Sequence, residues 1–373
     1  MHDGGVVPPA PPAPKGPVGG WMDAVPAGEG EWRMAIWILA GLAGLLSGAL
    51  AWWLSRPGAL LRAVDRPGER SLHDRPMPRT GGVGIWLGIL PAGASAAGLA
   101  VPILRDPYPL AGLALIAAVS LLDDLRGLPP LPRILAHLLA AALLLAGGYG
   151  LTDLRWPGGW TLPLGPAEWP VTLLAVVWLS NLYNFMDGMD GFAGGMGLIG
   201  FAGLALLGWW GGHPALAGTA LLIALANGGF LAFNFPPARI FMGDLGAVPL
   251  GFALAFLSLW GIRDGVFPFW APLLIFSPFV VDATFTLLHR LARGEKVWRA
   301  HRSHYYQRLV LLGWGHRRTV LAEYSLMLAA AISVIVVQYS DNPGLAAWML
   351  AGWVAVYLLL ALLIERAAPL ERR

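Results

Sequence analysis

Long runs of apolar residues alternate with short polar segments along most of the chain. Eleven runs follow one another, and each approaches the length of about 20 residues that a helix needs to cross a bilayer. Their predicted bounds are 34–54, 82–104, 108–122, 134–150, 170–186, 192–210, 215–234, 245–262, 266–288, 319–338 and 345–364. The pattern predicts an all-α, polytopic membrane protein, a bundle of about 11 transmembrane helices.

The first part of the chain has a different composition. Residues 1–32 are rich in Pro, Gly and Ala and have no periodic apolar face. Such a segment cannot bury enough apolar surface to fold, so we expect a disordered tail. Residues 33–373 are expected to form a single transmembrane domain.

Composition supports the membrane assignment. Hydrophobic residues make up 57% of the chain and charged residues 13%, whereas soluble domains carry about a quarter charged residues. A water-soluble globule is therefore excluded. The absence of Cys excludes disulfide frameworks, thiolate metal sites and cysteine nucleophiles.

Lys and Arg are concentrated in alternate loops, and this bias orients the predicted bundle. If the loop between the first two apolar runs is cytoplasmic, alternation places all but five of the 25 Lys and Arg on that side. The five exceptions are Lys15, Arg33, Arg105, Arg155 and Arg263. This bias follows the positive-inside rule and predicts an outer N-terminus and a cytoplasmic C-terminus. It also gives the basic residues a role other than nucleic-acid binding.

Polar residues gather at the ends of the apolar runs, where carboxylates are costly and indicate function. Four clusters fall on four separate loops, all on the predicted cytoplasmic side. They are Asp123 with Asp124, then Asn181, Asn184, Asp187 and Asp190, then Asn234 with Asp244, and finally His301 with His304. The outer loops hold nothing comparable. We therefore expect one composite site at the cytoplasmic membrane surface.

The acidic clusters also have structural interpretations. Asp123 and Asp124 could cap a helix end near Arg126, although adjacent carboxylates require a nearby cation. NLYNFMDGMDG could be a glycine-rich turn, or part of a calcium loop that lacks its closing Glu. FMGD could be a plain turn, although the hard oxygens of Asp244 suit Mg²⁺.

The histidine pair lies in a basic loop. The spacing of His301 and His304 predicts a shared helix face with Arg308. Two His without a third ligand do not form a zinc site. With Arg299 and Arg302 they favour a clamp for phosphate or pyrophosphate, and a basic patch for anionic lipid is the alternative. Upstream, SLHDRPMPRTGGVG predicts an ordered turn before the second run.

Five motifs resemble a known family. HDRPMPRTGG, LLDDLRGLPPLPR, NLYNFMDGMDG, FNFPPARIFMGDLGAVPLG and HRSHYYQRL occur in the order seen in polyprenyl-phosphate N-acetylhexosamine-1-phosphate transferases, the glycosyltransferase 4 family. The likeness covers about residues 34–364. It is closer to the O-antigen-initiating enzymes than to the muramyl-pentapeptide transferase, because HRSH replaces that enzyme's three-histidine run.

The resemblance implies a reaction and its partners. Undecaprenyl phosphate would attack the β-phosphorus of a UDP-N-acetylamino sugar and release UMP, with Mg²⁺ as cofactor and Mn²⁺ as the alternative. The other expected partners are membrane lipid and, in a homodimer, a second copy of the chain, with no nucleic acid. The implied location is the bacterial inner membrane, with the active site on the cytoplasmic face.

Residue roles are also implied by the resemblance. Asp244 would ligate the metal, and Asp123 and Asp124 would lie near the metal and the attacking phosphate, where one of them could act as a base. For the donor, Asn184 and Asp187 would bind the nucleoside, and Phe241 would stack on uracil. Arg133 would bind the lipid phosphate, and the diphosphate or sugar would be contacted by His301, Arg302 and His304. Asn181 and Asp190 would make further substrate contacts.

Three questions stay open at the level of the sequence. A transporter or flippase is the main rival class, but it predicts polar residues near the bilayer midplane rather than at one face. Spacing also leaves open whether His73 and Arg79 contact a ligand, and which UDP-sugar is used.

Overall fold

The structure is a computed structural model of the chain. It describes residues 29–59, 61, 63–68, 71–98, 106–296, 301–340, 342 and 344–368. The predicted tail, residues 1–32, lies outside this set except for its last four residues. Those four belong to the first helix, which begins at Glu29.

Thirteen α-helices make up most of the described part of the chain. They are α1 Glu29–Leu54, α2 Gly81–Gly98, α3 Pro107–Arg126, α4 Pro130–Ala146, α5 Glu168–Phe185, α6 Phe192–Trp210, α7 Pro214–Asn234, α8 Asp244–Arg263, α9 Trp270–Ile275, α10 Ser277–Ala292, α11 Tyr305–Leu309, α12 Gly315–Gln338 and α13 Leu345–Ala367. A π-helical turn, Val310–Trp314, joins α11 to α12. The chain is a polytopic helical membrane protein.

Every predicted apolar run contains a helix, but not every helix has the length and apolarity of a membrane span. Within the described residues, 7 helical segments meet both criteria, and two shorter apolar helices cover Gly81–Ser95 and Pro130–Ala146. The predicted run 266–288 is divided at Phe276 into α9 and α10. The count of eleven spans and their orientation therefore stay predictions.

Two short β-hairpins correct the all-α prediction. β1 Val64–Asp65 pairs antiparallel with β2 Met77–Pro78, and β3 Asp153–Arg155 pairs with β4 Thr161–Pro163. Strands of two or three residues are too short to produce the alternating pattern that identifies a strand in sequence. The first hairpin holds the turn that was expected before α2.

Helix α8 lies at the centre of the bundle. In its most apolar window, 89% of the residues are buried, and it packs between α3 and α5. Small residues permit close approach, as is common between membrane helices. A Cβ on Gly251 would lie 2.5 Å from the carbonyl oxygen of Leu179 in α5, and one on Gly229 of α7 would meet the backbone of Gly44 in α1.

Helix ends on one side of the bundle form the frame of the polar clusters. The carboxyl ends of α3, α5 and α7 meet the amino ends of α4 and α8 there. Asp106 caps the far end of α3 through the backbone N–H of Tyr108, and Pro107 occupies its first turn. Gly127, with φ +68°, ends α3 on the polar side.

The opposite end of α8 carries a separate polar network around Asp264. The carboxylate of Asp264 accepts hydrogen bonds from the Trp260 indole at 2.7 Å and from Arg263 Nε at 2.8 Å, and His213 Nε2 lies 2.9 Å away. The guanidinium of Arg263 also lies over the ring of Tyr149 at 4.3 Å. This network joins the ends of α4, α7 and α8.

Candidate active site

Asp124 connects α3 to the amino end of α8. Its two carboxylate oxygens accept hydrogen bonds from the backbone N–H groups of Asp244, at 3.1 Å, and Leu245, at 2.9 Å. An anion is stabilised at a helix amino end by these free N–H groups and by the helix dipole. Gly243 has φ +75°, and a Cβ there would lie 2.4 Å from the carbonyl oxygen of Arg79. Glycine is therefore needed before α8.

Asp123 and Asp244 form a second pair of acids. Their carboxylates share one guanidinium. Arg133 of α4 bridges them, with Nη1 at 2.9 Å from Asp123 Oδ2 and Nη2 at 3.8 Å from Asp244 Oδ2. Asp123 Oδ1 also accepts the backbone N–H of Leu128 at 2.5 Å. The two acids therefore pair with Arg133 rather than with Arg126.

Arg79 is a member of the cluster for which the sequence left the role open. Its Nη2 donates to the carbonyl oxygen of Asp124 at 2.6 Å, and its Nε lies 3.6 Å from Asp124 Oδ1. That Nε is buried without a hydrogen-bond partner in the described part of the chain. Arg79 thus adds a positive charge beside the buried carboxylate of Asp124.

The last turn of α5 and the loop after it bring two further side chains to the cluster, Asn184 and Asp187. Asn184 Nδ2 donates to Asp244 Oδ1 at 3.0 Å. Burial, followed by the negative charges of Asp244 and Asp124, raises the pKa of Asp187 well above its ordinary value. Part of Asp187 stays accessible to solvent, and water moderates this rise. The site thus holds an excess of acids that a bound cation would relieve.

The donor set is suited to a hard cation. Mg²⁺ is commonly bound through one or two carboxylates, with water and substrate phosphates completing its shell. The adjacent carboxylates of Asp123 and Asp244 match this mode. Among the described residues, no group of three or more His, Asp and Glu side chains is arranged as a complete metal cage. Among the described residues, these two carboxylates could therefore supply only part of such a shell.

Two predicted substrate residues have partners elsewhere. Asn181 Nδ2 lies 3.0 Å from Nδ1 of His137 in α4 and 2.7 Å from the Val177 carbonyl oxygen. Asp190 accepts the backbone N–H of Ala238 and pairs with His316 of α12 at 3.1 Å. The structure therefore places these two residues in helix and loop contacts beside the acidic cluster.

Phe241 lies at the edge of the site, in the loop before α8. Its backbone N–H donates to the carbonyl oxygen of Pro78 at 2.7 Å, and its ring contacts the His73 ring edge-on at 4.9 Å. These contacts join the first hairpin to the loop that carries Asp244. The ring of Phe241 is half-buried.

The basic loop differs from the predicted helix face. His304 is the N-cap of α11, and His301 precedes the helix, so the two do not share a helix face with Arg308. Arg308 instead pairs with Glu365 of α13 at 2.6 Å. Arg302 is exposed, and Arg299 lies outside the described residues.

Ring contacts and burial define the two histidines. Their ring centroids are 4.9 Å apart, and His304 is only 4% exposed. Burial and the neighbouring His304 lower the pKa of His301 to about 3, so its imidazole is neutral at physiological pH. His301 Nδ1 accepts from the Ser303 backbone at 3.3 Å and lies 2.8 Å from the Ser303 hydroxyl.

Sequence reasoning missed Asp282 in α10. It is 7% exposed, and its Oδ1 lies 3.0 Å from His304 Nδ1. The signal was present, because Asp282 is the one charged residue within the predicted run 266–288, where a carboxylate indicates function.

A comparison with known families identifies the class of protein. The profile of glycosyl transferase family 4 matches residues 107–262, a range that holds Asp123, Asp124, the turn after α5 and Asp244. A protein of Bacillus subtilis (strain 168), described as a probable undecaprenyl-phosphate N-acetylglucosaminyl 1-phosphate transferase, is 31% identical over 74% of this chain and 77% of its own. The chain belongs to glycosyl transferase family 4.

Two other relatives show the range of activities among similar proteins. The decaprenyl-phosphate N-acetylglucosaminephosphotransferase of Mycobacterium tuberculosis (strain ATCC 25618 / H37Rv) is 31% identical, over 76% of this chain and 78% of its own. The phospho-N-acetylmuramoyl-pentapeptide-transferase of Synechococcus sp. (strain RCC307) is 32% identical, over 79% and 88%. Overall identity does not separate the two activities.

Proposed function

We propose that the protein transfers a sugar 1-phosphate of the N-acetylhexosamine type from a UDP-sugar to undecaprenyl phosphate. UMP is released, and the product is a lipid-linked pyrophosphoryl sugar for cell-envelope polysaccharide such as O-antigen. The observation that best supports this proposal is the contact of Asp123, Asp124 and Asp244, which come from two helix ends that are distant in the sequence. The names of the Bacillus and Mycobacterium relatives support the same class of reaction.

The proposed site lies at the cytoplasmic face of the bacterial inner membrane. The positive-inside bias of the loops supports this orientation and the eleven-span topology. An acceptor with a long lipid tail requires a reaction centre at the bilayer, and a nucleotide sugar is water-soluble. The convergence of helix ends on one side of the bundle provides such a boundary site.

A Mg²⁺ ion is part of the proposal, and Asp123 and Asp244 are the residues that would hold it. When bound, it would neutralise charge on the phosphate oxygens during transfer. The excess of carboxyl groups over guanidinium groups in the site supports this assignment. Mn²⁺ takes similar oxygen ligands and is the alternative.

The guanidinium groups bind and orient the phosphates. Arg133 pairs with Asp123 and Asp244, and Arg79 pairs with Asp124, so both guanidinium groups lie beside the acids, where they could donate to an acceptor phosphate. An oxygen of that phosphate forms a bond to the β-phosphorus of the donor. The bond from this phosphorus to the bridging oxygen breaks, and that oxygen leaves with UMP.

Direct attack is favoured over an aspartyl-phosphate intermediate. Both oxygens of Asp124 are held by backbone N–H groups, and the oxygens of Asp123 are engaged by Leu128 and Arg133. These hydrogen bonds and the Arg133 ion pair stabilise the two carboxylates, which makes both of them weaker nucleophiles than free carboxylates. A phosphate monoester has a second pKa of about 6, so the acceptor needs no strong base at neutral pH.

The donor is assigned to the turn after α5 and the basic loop. Asn184 and Asp187 would bind the nucleoside, with Phe241 stacking on uracil. His301, Arg302 and His304 would contact the diphosphate or sugar. The Tyr306 hydroxyl donates to the carbonyl oxygen of Phe185 at 3.3 Å. This contact between the basic loop and the end of α5 supports a donor site that the two segments share.

A transfer assay tests the proposal. Purified full-length protein in nanodiscs is given undecaprenyl phosphate and a panel of UDP-sugars, with Mg²⁺ or EDTA, and UMP and lipid-linked sugar are measured. We expect product with at least one UDP-N-acetylhexosamine, loss of product with EDTA, and loss with Asp244→Asn. Asp153→Asn, in the second hairpin, is the matched control and should retain activity. Absence of product with every UDP-sugar would refute the proposed activity.

Transfer of phospho-N-acetylmuramoyl-pentapeptide is the second candidate. The 32% identity to the Synechococcus enzyme favours it, whereas HRSH in place of three histidines disfavours it. UDP-N-acetylmuramoyl-pentapeptide therefore belongs in the donor panel. A kcat/KM for it above those of the simple UDP-sugars would replace the first candidate by the second.

A further inference from the structure

Asp282 joins α10 to the first turn of α11. Its Oδ1 accepts the backbone N–H of Tyr305 and the hydroxyl of Thr286, both at 3.0 Å, and its Oδ2 accepts the backbone N–H of Tyr306 at 3.0 Å. His304 Nδ1 lies 3.0 Å from the same Oδ1. The buried carboxylate thus holds the whole amino end of α11.

The same contact defines the protonation of the His304 ring. An ionised carboxylate only accepts hydrogen bonds, so the Nδ1 beside it carries a proton. The other ring nitrogen, Nε2, has no hydrogen-bond partner among the residues that the structure describes. With the proton on Nδ1, Nε2 carries a lone pair and can accept a hydrogen bond from a bound ligand.

Tyr306 relates this histidine to the acidic cluster. The rings of His304 and Tyr306 are stacked, with centroids 5.8 Å apart. The Tyr306 hydroxyl donates to the carbonyl oxygen of Phe185, and a Cβ on Gly188 would lie 2.1 Å from that hydroxyl. The amino end of α11 therefore lies against the turn that carries Asp187.

We propose that Asp282 is a positioning residue that fixes the orientation and tautomer of His304, so that Nε2 faces the nucleotide-sugar donor as a hydrogen-bond acceptor for a sugar hydroxyl or N–H group. The inference rests on the proposed function for its substrate. Carboxylates that orient a functional imidazole through Nδ1 are known to control activity without touching the substrate.

The tautomer of His304 can be measured without substrate. Full-length protein labelled with ¹⁵N-His is reconstituted in nanodiscs, and long-range ¹⁵N–¹H spectra locate the ring protons, with His304→Gln assigning the signal. We expect Nδ1 to be protonated in the wild type. In Asp282→Asn, the amide can turn its NH₂ group toward the ring, and the proton should move to Nε2. A wild-type ring protonated on Nε2 alone would overturn the proposal, even if the variant did not fold.

Kinetics give the second readout. Asp282→Asn should lower kcat/KM for the UDP-sugar by about 10- to 100-fold, as is typical for loss of an orienting partner, and leave KM for undecaprenyl phosphate unchanged. Asp282→Glu should restore part of the activity. The matched control is Thr284→Val on the same helix, because the Thr284 hydroxyl is buried without a partner among the described residues.

The outcomes separate the two proposals. Wild-type kinetics in Asp282→Asn, or an equal loss in Thr284→Val, would overturn the positioning role. A wild type with the expected tautomer but no UMP release from any UDP-sugar would overturn the proposed function, while the fixed orientation of His304 by Asp282 would stand.

Discussion

Replacement of Asp124 by Asn tests whether this residue mainly organises the site. Asp124 is 6% exposed, and its two oxygens receive the N–H groups of Asp244 and Leu245. An asparagine of the same shape has one acceptor oxygen, so its NH₂ group would face one of these two donors. The substitution therefore removes one hydrogen bond and the negative charge at the amino end of α8.

The magnitude follows from these losses. A hydrogen bond to a charged group contributes about 1.5–3 kcal/mol, and an acidic residue at a helix amino end contributes about 0.3–1 kcal/mol. We therefore expect Asp124→Asn to lower the free energy of unfolding by about 2–4 kcal/mol. Because α8 carries Asp244, the variant should also lose transfer activity.

Thermal unfolding in detergent, followed by the fluorescence of the 18 Trp residues, measures the stability change. Asp123→Asn is the informative contrast, since an asparagine oxygen can still accept the backbone N–H group of Leu128, and the ion pair that is lost involves the partly exposed Arg133. It should lose turnover by orders of magnitude with a smaller shift in Tm. Asp153→Asn should leave both unchanged. An Asp124→Asn protein with the wild-type Tm would refute the anchoring of α8 by Asp124.

Three further substitutions test other parts of the structure. Gly243→Ala should lower both Tm and transfer activity, because φ is +75° and the new Cβ would meet the carbonyl oxygen of Arg79; wild-type values would contradict the close contact. Burial raises the pKa of Asp264, but hydrogen bonds from His213 and Arg263, together with the positive charge of Arg263, outweigh this and lower it to about 2 from 3.8. The stabilisation is thus present above pH 3.8 and is lost as the pH falls through 2, so Asp264→Asn should lower Tm at pH 7, with a smaller difference toward pH 2; a pH-independent difference would contradict this. His304→Ala should raise KM for the UDP-sugar more than KM for the lipid phosphate, and equal donor KM values in variant and wild type would exclude the donor contact.

Sequence patterns predicted the helical framework and much of the acidic cluster. Apolar runs of bilayer length locate the helices because the membrane requires them. Acids at the ends of these runs indicated a shared site, and the structure brings Asp123, Asp124, Asn184 and Asp244 into direct contact, with Asp187 near them. The roles assigned to these residues stay predictions.

Pairings between distant residues were not predictable in the same way. Arg79 contacts Asp124 45 positions away, and His304 contacts Asp282 22 positions away, so neither partner follows from local spacing. The interval between His301 and His304 resembles a helix face, but α11 begins only after His304. A single acid within an apolar run could have identified Asp282 as a candidate, whereas its contact with His304 depends on tertiary packing.

The central helix α8 connects two polar regions of the bundle. It carries Asp244 at its first residue and is followed directly by Asp264, so one helix of 20 residues, about 30 Å long, runs from the acidic cluster to the Asp264 network. Because both carboxylates flank the same helix, a change at Asp264 that displaces α8 would also displace Asp244.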